Sequence, residues 1–170
     1  MMDREMKVEE LDTSNPEDLA HAIRIWNKVV SDGSAFPQTE PLDDETGRAF
    51  FDSQTRTAVA RLDHQIVGLY ILHPNNVGRC SHIANASYAV SEETRGSGVG
   101  RALVEDSIVQ AGISGFTGLQ FNAVVASNAG AIHLYEKIGF TRIGMIPNGF
   151  RNLDGDLEDI FIFYIDTPSA

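Results

Sequence analysis

The sequence predicts an α/β (α+β) fold: one mixed, mostly antiparallel sheet flanked by helices. Three observations carry this. Helical spacing dominates before Thr55, and from there runs of β-formers follow one another with only short turns between them. Two of those runs are separated by Asp63-His64 alone, which reads as a hairpin. A third run, Cys80 to Val90, feeds a glycine-rich turn that opens a helix, so strands and helices alternate from there on. The chain has 170 residues, 42% of them hydrophobic, which suits one domain with a full core across residues 1–170.

In chain order, a short strand is expected around Val8 to Leu11. Thr13 to Asp18 supplies capping side chains, Pro16 and then acids, the residues of a helix start. Ile23, Trp26 and Val30 continue it at helical spacing to Val30, and Ser31 to Ser34 ends it. Ala35 to Leu42 is a loop, and Asp43 to Gln54 a weaker helix carrying Phe50 and Phe51. Strands are expected over Thr57–Leu62, Gln65–Leu72 and Cys80–Val90. Val99, Leu103, Val104, Ile108 and Ala111 form a helical stripe that Gly112 is placed to stop. Leu119 to Val125 is a strand, and Asn128 caps a helix to Ile138 that Gly139-Phe140 closes. Thr141 to Ile146 is a strand and Pro147 to Asp156 a polar loop. Leu157 to Ile165, nearly all apolar, is expected as a final buried strand.

The chemistry is concentrated between Ser87 and Val104. Gly96, Gly98 and Gly100 alternate between Arg95 and Arg101. Glycine allows positive φ and close backbone approach, and a helix start presents unpaired N–H groups backed by its dipole. Such a turn is an anion site suited to a phosphate or pyrophosphate, and the arginines can add charge. Arg101-Ala102 stands where a P-loop needs Lys-Ser/Thr, and Arg101 also occupies the third-glycine position of the dinucleotide fingerprint. Neither motif fits.

Arg95-Gly-Ser-Gly-Val-Gly100 does match Arg/Gln-x-x-Gly-x-Gly/Ala. Further along, Asn128-Ala-Gly-Ala-Ile-His-Leu-Tyr-Glu-Lys-Ile-Gly-Phe140 resembles Asn-x-x-Ala-x-x-Leu-Tyr-x-x-x-Gly-Phe. Together, and in this order, these signals resemble the GNAT (Gcn5-related) N-acetyltransferase superfamily over about residues 8–165. The resemblance implies a central sheet of six to seven strands with about four helices, and acetyl-CoA as the donor of an acetyl group to an amine. It implies that the backbone of Tyr88, Ala89 and Val90 meets the pantetheine arm, in the manner of an added strand. Arg95, Gly96, Ser97, Gly98, Val99 and Gly100 would wrap the pyrophosphate, with Arg101 and Ala102 beginning the helix aimed at it. Asn128 would cap its helix and contact the cofactor arm. Tyr135 would protonate the departing CoA thiolate; by spacing alone it is an ordinary aromatic of an amphipathic helix.

The general base is left open. Family members often carry an acid in the strand before the turn, whereas residues 80–90 contain none. His82, Asn85, Ser87 and Tyr88 remain as relay or water-holding groups, His82 having the suitable intrinsic pKa. Asn122 and Asn85, with Phe150, Arg151 and the Phe36-Pro37 region, are candidates for the acceptor site. Cys80 and His82 would share one strand face, but no third group orients a thiol nucleophile there. A non-catalytic acyl-CoA-binding module on the same fold is the alternative to an enzyme.

Composition bounds the partners. The formal charge of −11 argues against a sequence-independent nucleic-acid binder. No apolar run approaches a membrane span, and one cysteine, Cys80, excludes an intrachain disulfide and suits a reducing cytoplasm. No metal is expected, the acceptor is a small-molecule or peptide amine, and oligomeric state is open, a homodimer included.

Overall fold

The computed structural model describes residues 5–169. Its elements are β1 (Met6–Glu10), α1 (Pro16–Asp32), α2 (Asp44–Asp52), β2 (Arg56–Leu62), β3 (Gln65–Pro74), β4 (Ile83–Val90), α3 (Val99–Ile113), β5 (Gly118–Val125), α4 (Ala129–Ile138), β6 (Thr141–Arg151) and β7 (Leu157–Asp166). Short 3-10 turns lie at Gly78–Cys80 and Glu92–Thr94. The strands form one seven-stranded sheet in the order β1-β2-β3-β4-β5-β7-β6. Every neighbouring pair is antiparallel except β4 and β5.

Local chemistry accounts for the helix ends. The Asn15 side chain accepts from the N–H of Glu17 at 3.0 Å and of Asp18 at 3.3 Å, and Pro16 needs no partner in the first turn. Gly33 ends α1 in the left-handed region, its N–H bonded to the Val30 carbonyl at 3.2 Å. Asp43 and Thr46 cap α2 reciprocally. The two-residue turn between β2 and β3 is made without glycine: Asp63 and His64 both take positive φ, 50° and 71°, as the twist of a tight hairpin demands.

Helices cover the middle of the sheet on both faces, which is why β2 and β3 are buried along nearly their whole length. On one face α1 and α2 lay Trp26, Phe36 and Phe51 over Val59, Leu69 and Ile71. The Trp26 ring lies 4.4 Å from Phe36 and 5.1 Å from Phe50. On the other face α3 sets Leu103 and Val104 against Ala58, Ala60, Tyr70 and Leu72. Arg61 on β2 ties α1 to the edge strand β1, donating to Asp18 and to Glu9, each at 2.6 Å.

Three expectations are corrected. β4 begins at Ile83, because the preceding residues are taken up by the turn at Gly78–Cys80, so Cys80 and His82 do not share a strand face. β6 does not stop at Ile146. It resumes after an irregularity between Ile146 and Phe150 and runs to Arg151, leaving a tighter tip at residues 152–156. β7 is half-buried instead of buried, since β6 beyond it is the sheet edge and no helix covers that hairpin fully. The large apolar residues left exposed include Ile143, Met145 and Ile146 on β6.

Candidate active site

The parallel contact between β4 and β5 is brief: Ile83 pairs with Gly118 and Ala84 with Leu119, and no further pair follows. From Asn85 onward β4 keeps its bonds to β3 only, with Tyr88, Ala89 and Val90 opposite Tyr70, Leu69 and Gly68. Its other edge therefore faces an opening. A cleft of about 740 Å³ occupies that splay. Its walls come from β4, the turn after it, β5, the start of α4 and the turn after α1.

At one end of the cleft lies the glycine turn. Gly96 and Gly98 hold φ of 80° and 86°, values that side chains with a Cβ rarely adopt. Gly100 differs: it is already helical, and a Cβ there would make ordinary contacts with Leu134 and Val90. The helix start carries no side-chain cap, and its first backbone bond runs from Ala102 N to the Gly98 carbonyl at 3.0 Å. The amides of Gly98, Val99, Gly100 and Arg101 precede that bond and meet no partner among the described residues. Unpaired amides that share a direction at a helix start are suited to an anion. Both flanking cations are engaged elsewhere. Arg95 lies 3.9 Å from Glu92, which also takes Lys28 at 3.0 Å, and Arg101 donates to Glu105 at 2.8 Å. Val99 is buried in the core, Ser97 bonds the Thr94 carbonyl at 2.5 Å, and Ala102 has given its amide to the helix.

Midway along, two tyrosines adjoin the splay and differ in what their hydroxyls do. Ser107 donates to the Val104 carbonyl at 2.7 Å, so the 2.7 Å bond between Tyr88 and Ser107 has Tyr88 as its donor. That phenol is turned under α3, and only the Tyr88 backbone serves the cleft edge. Tyr135 is the reverse. Its ring packs 4.6 Å from Phe121, 5.6 Å from Phe140 and 5.8 Å from Phe163, while its hydroxyl has no hydrogen-bond partner among the described residues. Burial pushes the Tyr135 phenol well above its ordinary range, so it holds its proton at any physiological pH. The Asn128 side chain accepts from Ala131 N at 3.3 Å, capping α4 at the cleft wall.

The rest of the lining is polar and partly aromatic: Asn85, Asn122, Phe36 and Pro37 belong to it, as do Asp32 and Ser34. Asn122 donates to Asn75 at 2.6 Å and accepts from Gln120 at 3.0 Å, so its amide is locked in place. Asn75 and Asp32 carry no signal in the sequence, because one lies in an unpatterned turn and the other ends α1, and each gains its place only when distant segments meet. Three candidates are not brought to the cleft. His82 is exposed ahead of β4, its carbonyl accepting from Thr117 N at 2.9 Å. Phe150 and Arg151 are held in the β6–β7 ladder, where Arg151 donates to the Gly155 carbonyl at 3.1 Å. Among the described residues no His, Cys, Asp and Glu group is placed to hold a metal ion, and no helix is long and apolar enough to cross a membrane.

A sheet splayed beside a glycine turn, with an amide-lined helix start facing the gap, defines a GNAT-type fold. Residues 22–140 match the model of the Acetyltransferase (GNAT) family, and the chain belongs to that family. N-acetyltransferase aca1 of Schizosaccharomyces pombe is 35% identical over 131 residues, 76% of this chain; the match spans 61% of the yeast protein's length. Among solved structures, a GCN5-related N-acetyltransferase from Kribbella flavida superposes with a TM-score of 0.85 at 31% identity, covering 95% of this chain and 97% of that one. The yncA protein of Salmonella typhimurium, solved with its cofactor acetyl-CoA, shares the fold at a TM-score of 0.87 and 19% identity, over 97% of this chain and 95% of that one.

Proposed function

We propose that the chain transfers an acetyl group from acetyl-CoA to an amine by direct attack on the thioester. The observation that carries this reading is the Tyr135 phenol, protonated and unpartnered, in the cleft where β4 leaves β5. Family membership supports the donor, and a fold neighbour was solved with acetyl-CoA.

On this reading the diphosphate rests on the amides of Gly98 to Arg101, and the pantetheine arm lies along the open edge of Tyr88 to Val90. The thioester carbonyl then falls at the Tyr88 end of that edge, away from the diphosphate, where backbone N–H groups polarise it. A neutral amine attacks the carbonyl carbon and its nitrogen gives one proton to water, the C–S bond breaks, and the thiolate takes the Tyr135 proton. The phenol regains a proton from solvent after the thiol departs. Among the described residues no imidazole lines the cleft, and its acid, Asp32 at the end of α1, is ion-paired with Lys28. The acceptor's own ammonium proton, held at a pKa near ~10 in solution, is therefore lost to water before attack. Asn85 and the locked Asn122 amide orient the acceptor.

Tyr135→Phe tests this directly. Thiol release is expected to fall by roughly 100-fold or more, while acetyl-CoA binding by calorimetry stays within about threefold because the ring contacts survive. Unchanged turnover in that variant removes the phenol from the mechanism. Tight acetyl-CoA binding by the unaltered chain with no thiol release on any amine would instead establish a non-catalytic acyl-CoA-binding module.

A further inference from the structure

Tyr70 on β3 and Tyr88 on β4 stand directly opposite each other in the ladder, their rings 6.0 Å apart. Both hydroxyls leave the sheet for the same helix and reach consecutive residues of it. Tyr70 donates to Asp106 at 2.7 Å, and its oxygen accepts from Nε of Arg56 at 3.2 Å. Tyr88 donates to Ser107, whose own proton goes to the Val104 carbonyl, each bond 2.7 Å long. Tyr70 and Ser107 are fully buried, so neither bond is readily traded for water.

The rest of this layer is apolar packing. Val99, Leu103, Val104 and Ala111 of α3 share it with Ala58 and Ala60 of β2 and with Ala84 and Ala86 of β4. Alanine methyls present a shallow surface, and burial of apolar area has no direction, so this packing holds the helix down more firmly than it holds it in register. At its start α3 comes closer still: a Cβ on Gly68 would lie 2.9 Å from Cγ1 of Val99 and 3.0 Å from Cδ1 of Leu103. That contact sets the height of the helix over the sheet. The tyrosine bonds are directional, and a slip of one residue, ~1.5 Å along the axis, breaks both.

Axial position matters because the two halves of the donor site stand on different elements. The unpaired amides belong to the start of α3 and the open edge to β4, and the chain joins them only through residues 91–98. Tyr88 takes part in both, with its backbone in the edge and its hydroxyl on the helix. A ligand gripped at two points gains from the second only when the spacing of the sites matches its own span. We propose that Tyr70, Tyr88, Asp106 and Ser107 form a clamp that fixes the distance between the start of α3 and the edge of β4, as positioning residues for a two-ended donor. The proposal rests on the acetyl-CoA reading above and adds how its two ends come to be held together.

Tyr70→Phe and Ser107→Ala, singly and combined, remove the clamp without touching the cleft lining. Acetyl-CoA is titrated by calorimetry, and S-acetylpantetheine and inorganic pyrophosphate, each standing for one half of the donor, by NMR. Acetyl-CoA affinity should fall about threefold in each single variant and about tenfold in the combined one, while both half-ligands bind as they do to the unaltered chain. Asp106→Asn, which keeps an acceptor for Tyr70, should bind acetyl-CoA as before. Should the combined variant fail to fold, the single variants carry the same comparison. Unchanged acetyl-CoA affinity in the folded variants overturns the clamp. So does an equal loss for acetyl-CoA and for either half-ligand, which marks local damage to a site and not a lost spacing. A loss in Asp106→Asn as large as that in Tyr70→Phe overturns the part given to Asp106. Acetyl-CoA binding to the unaltered chain with neither half-ligand bound also overturns the clamp, since a fixed spacing presupposes two formed half-sites. No binding of acetyl-CoA to the unaltered chain overturns the donor reading and the clamp with it.

Discussion

The two ends of the cleft are made differently. The end at the glycine turn is built from one continuous segment, Arg95 to Ala102, and presents backbone amides and two left-handed glycines. The rest of the cleft is assembled from side chains of segments that meet only in the folded chain: Asp32 at the end of α1, Phe36 beyond it, Asn85 on β4, and Asn122 on β5, the last held by Asn75 from the turn after β3. A donor shared by many enzymes can be held by a local motif. An acceptor peculiar to one enzyme is held by contacts that differ from chain to chain.

The largest effect should come from breaking the local end. Gly98→Val places a β-branched residue at φ 86°, where open space surrounds the Cβ and backbone strain alone opposes it. Acetyl-CoA affinity should fall by roughly 100-fold, as several amides lose their common direction, while the melting temperature changes little. Retained affinity would show that these amides do not hold the diphosphate.

A smaller effect is expected at the assembled end. Asn75→Ala removes the 2.6 Å bond that holds the Asn122 amide. One such bond is worth about 0.5–1.5 kcal/mol, so KM for the acceptor should rise several-fold. KM for acetyl-CoA should not move, since neither residue approaches the glycine turn. A parallel rise in both constants would mean that the two ends are not independent.

The smallest effect sharpens the contrast. Arg95 is largely exposed and already near Glu92. If backbone amides dominate, Arg95→Gln should weaken acetyl-CoA binding no more than about fivefold, within the ~0–1 kcal/mol of exposed ion pairs. A loss as large as that from Gly98→Val would move the anion site from the backbone to the cation.

The same contrast explains what was legible in the chain. Helix ends were readable because Asn15, Pro16, Gly33 and Asn128 act on groups within a few residues of themselves. The strands at Thr57–Leu62 and Gln65–Leu72 declared themselves by composition, and Asp63-His64 marked their turn. The extent of β6 was not readable: Pro147, Asn148 and Gly149 look like a loop, and the β7 ladder re-forms beyond them at Phe150 and Arg151. His82 is a candidate for its imidazole and Phe150 and Arg151 for their place in an expected loop, and neither signal says which way a backbone carries its side chain.

The sequence by itself determined the glycine turn, the capped helix bearing Tyr135, and hence the family and the anion end of the cleft. These follow from forces that act over a few residues: steric limits on φ, unpaired amides at a helix start, and capping side chains. Only the tertiary structure decided that Tyr88 spends its proton on Ser107 while Tyr135 keeps its own for the cleft. It alone decided that both arginines at the turn are paired with glutamates and that Leu153 rests on Gly33. Those outcomes depend on which side chains the sheet brings together, and pairing across tens of residues leaves no local pattern to read.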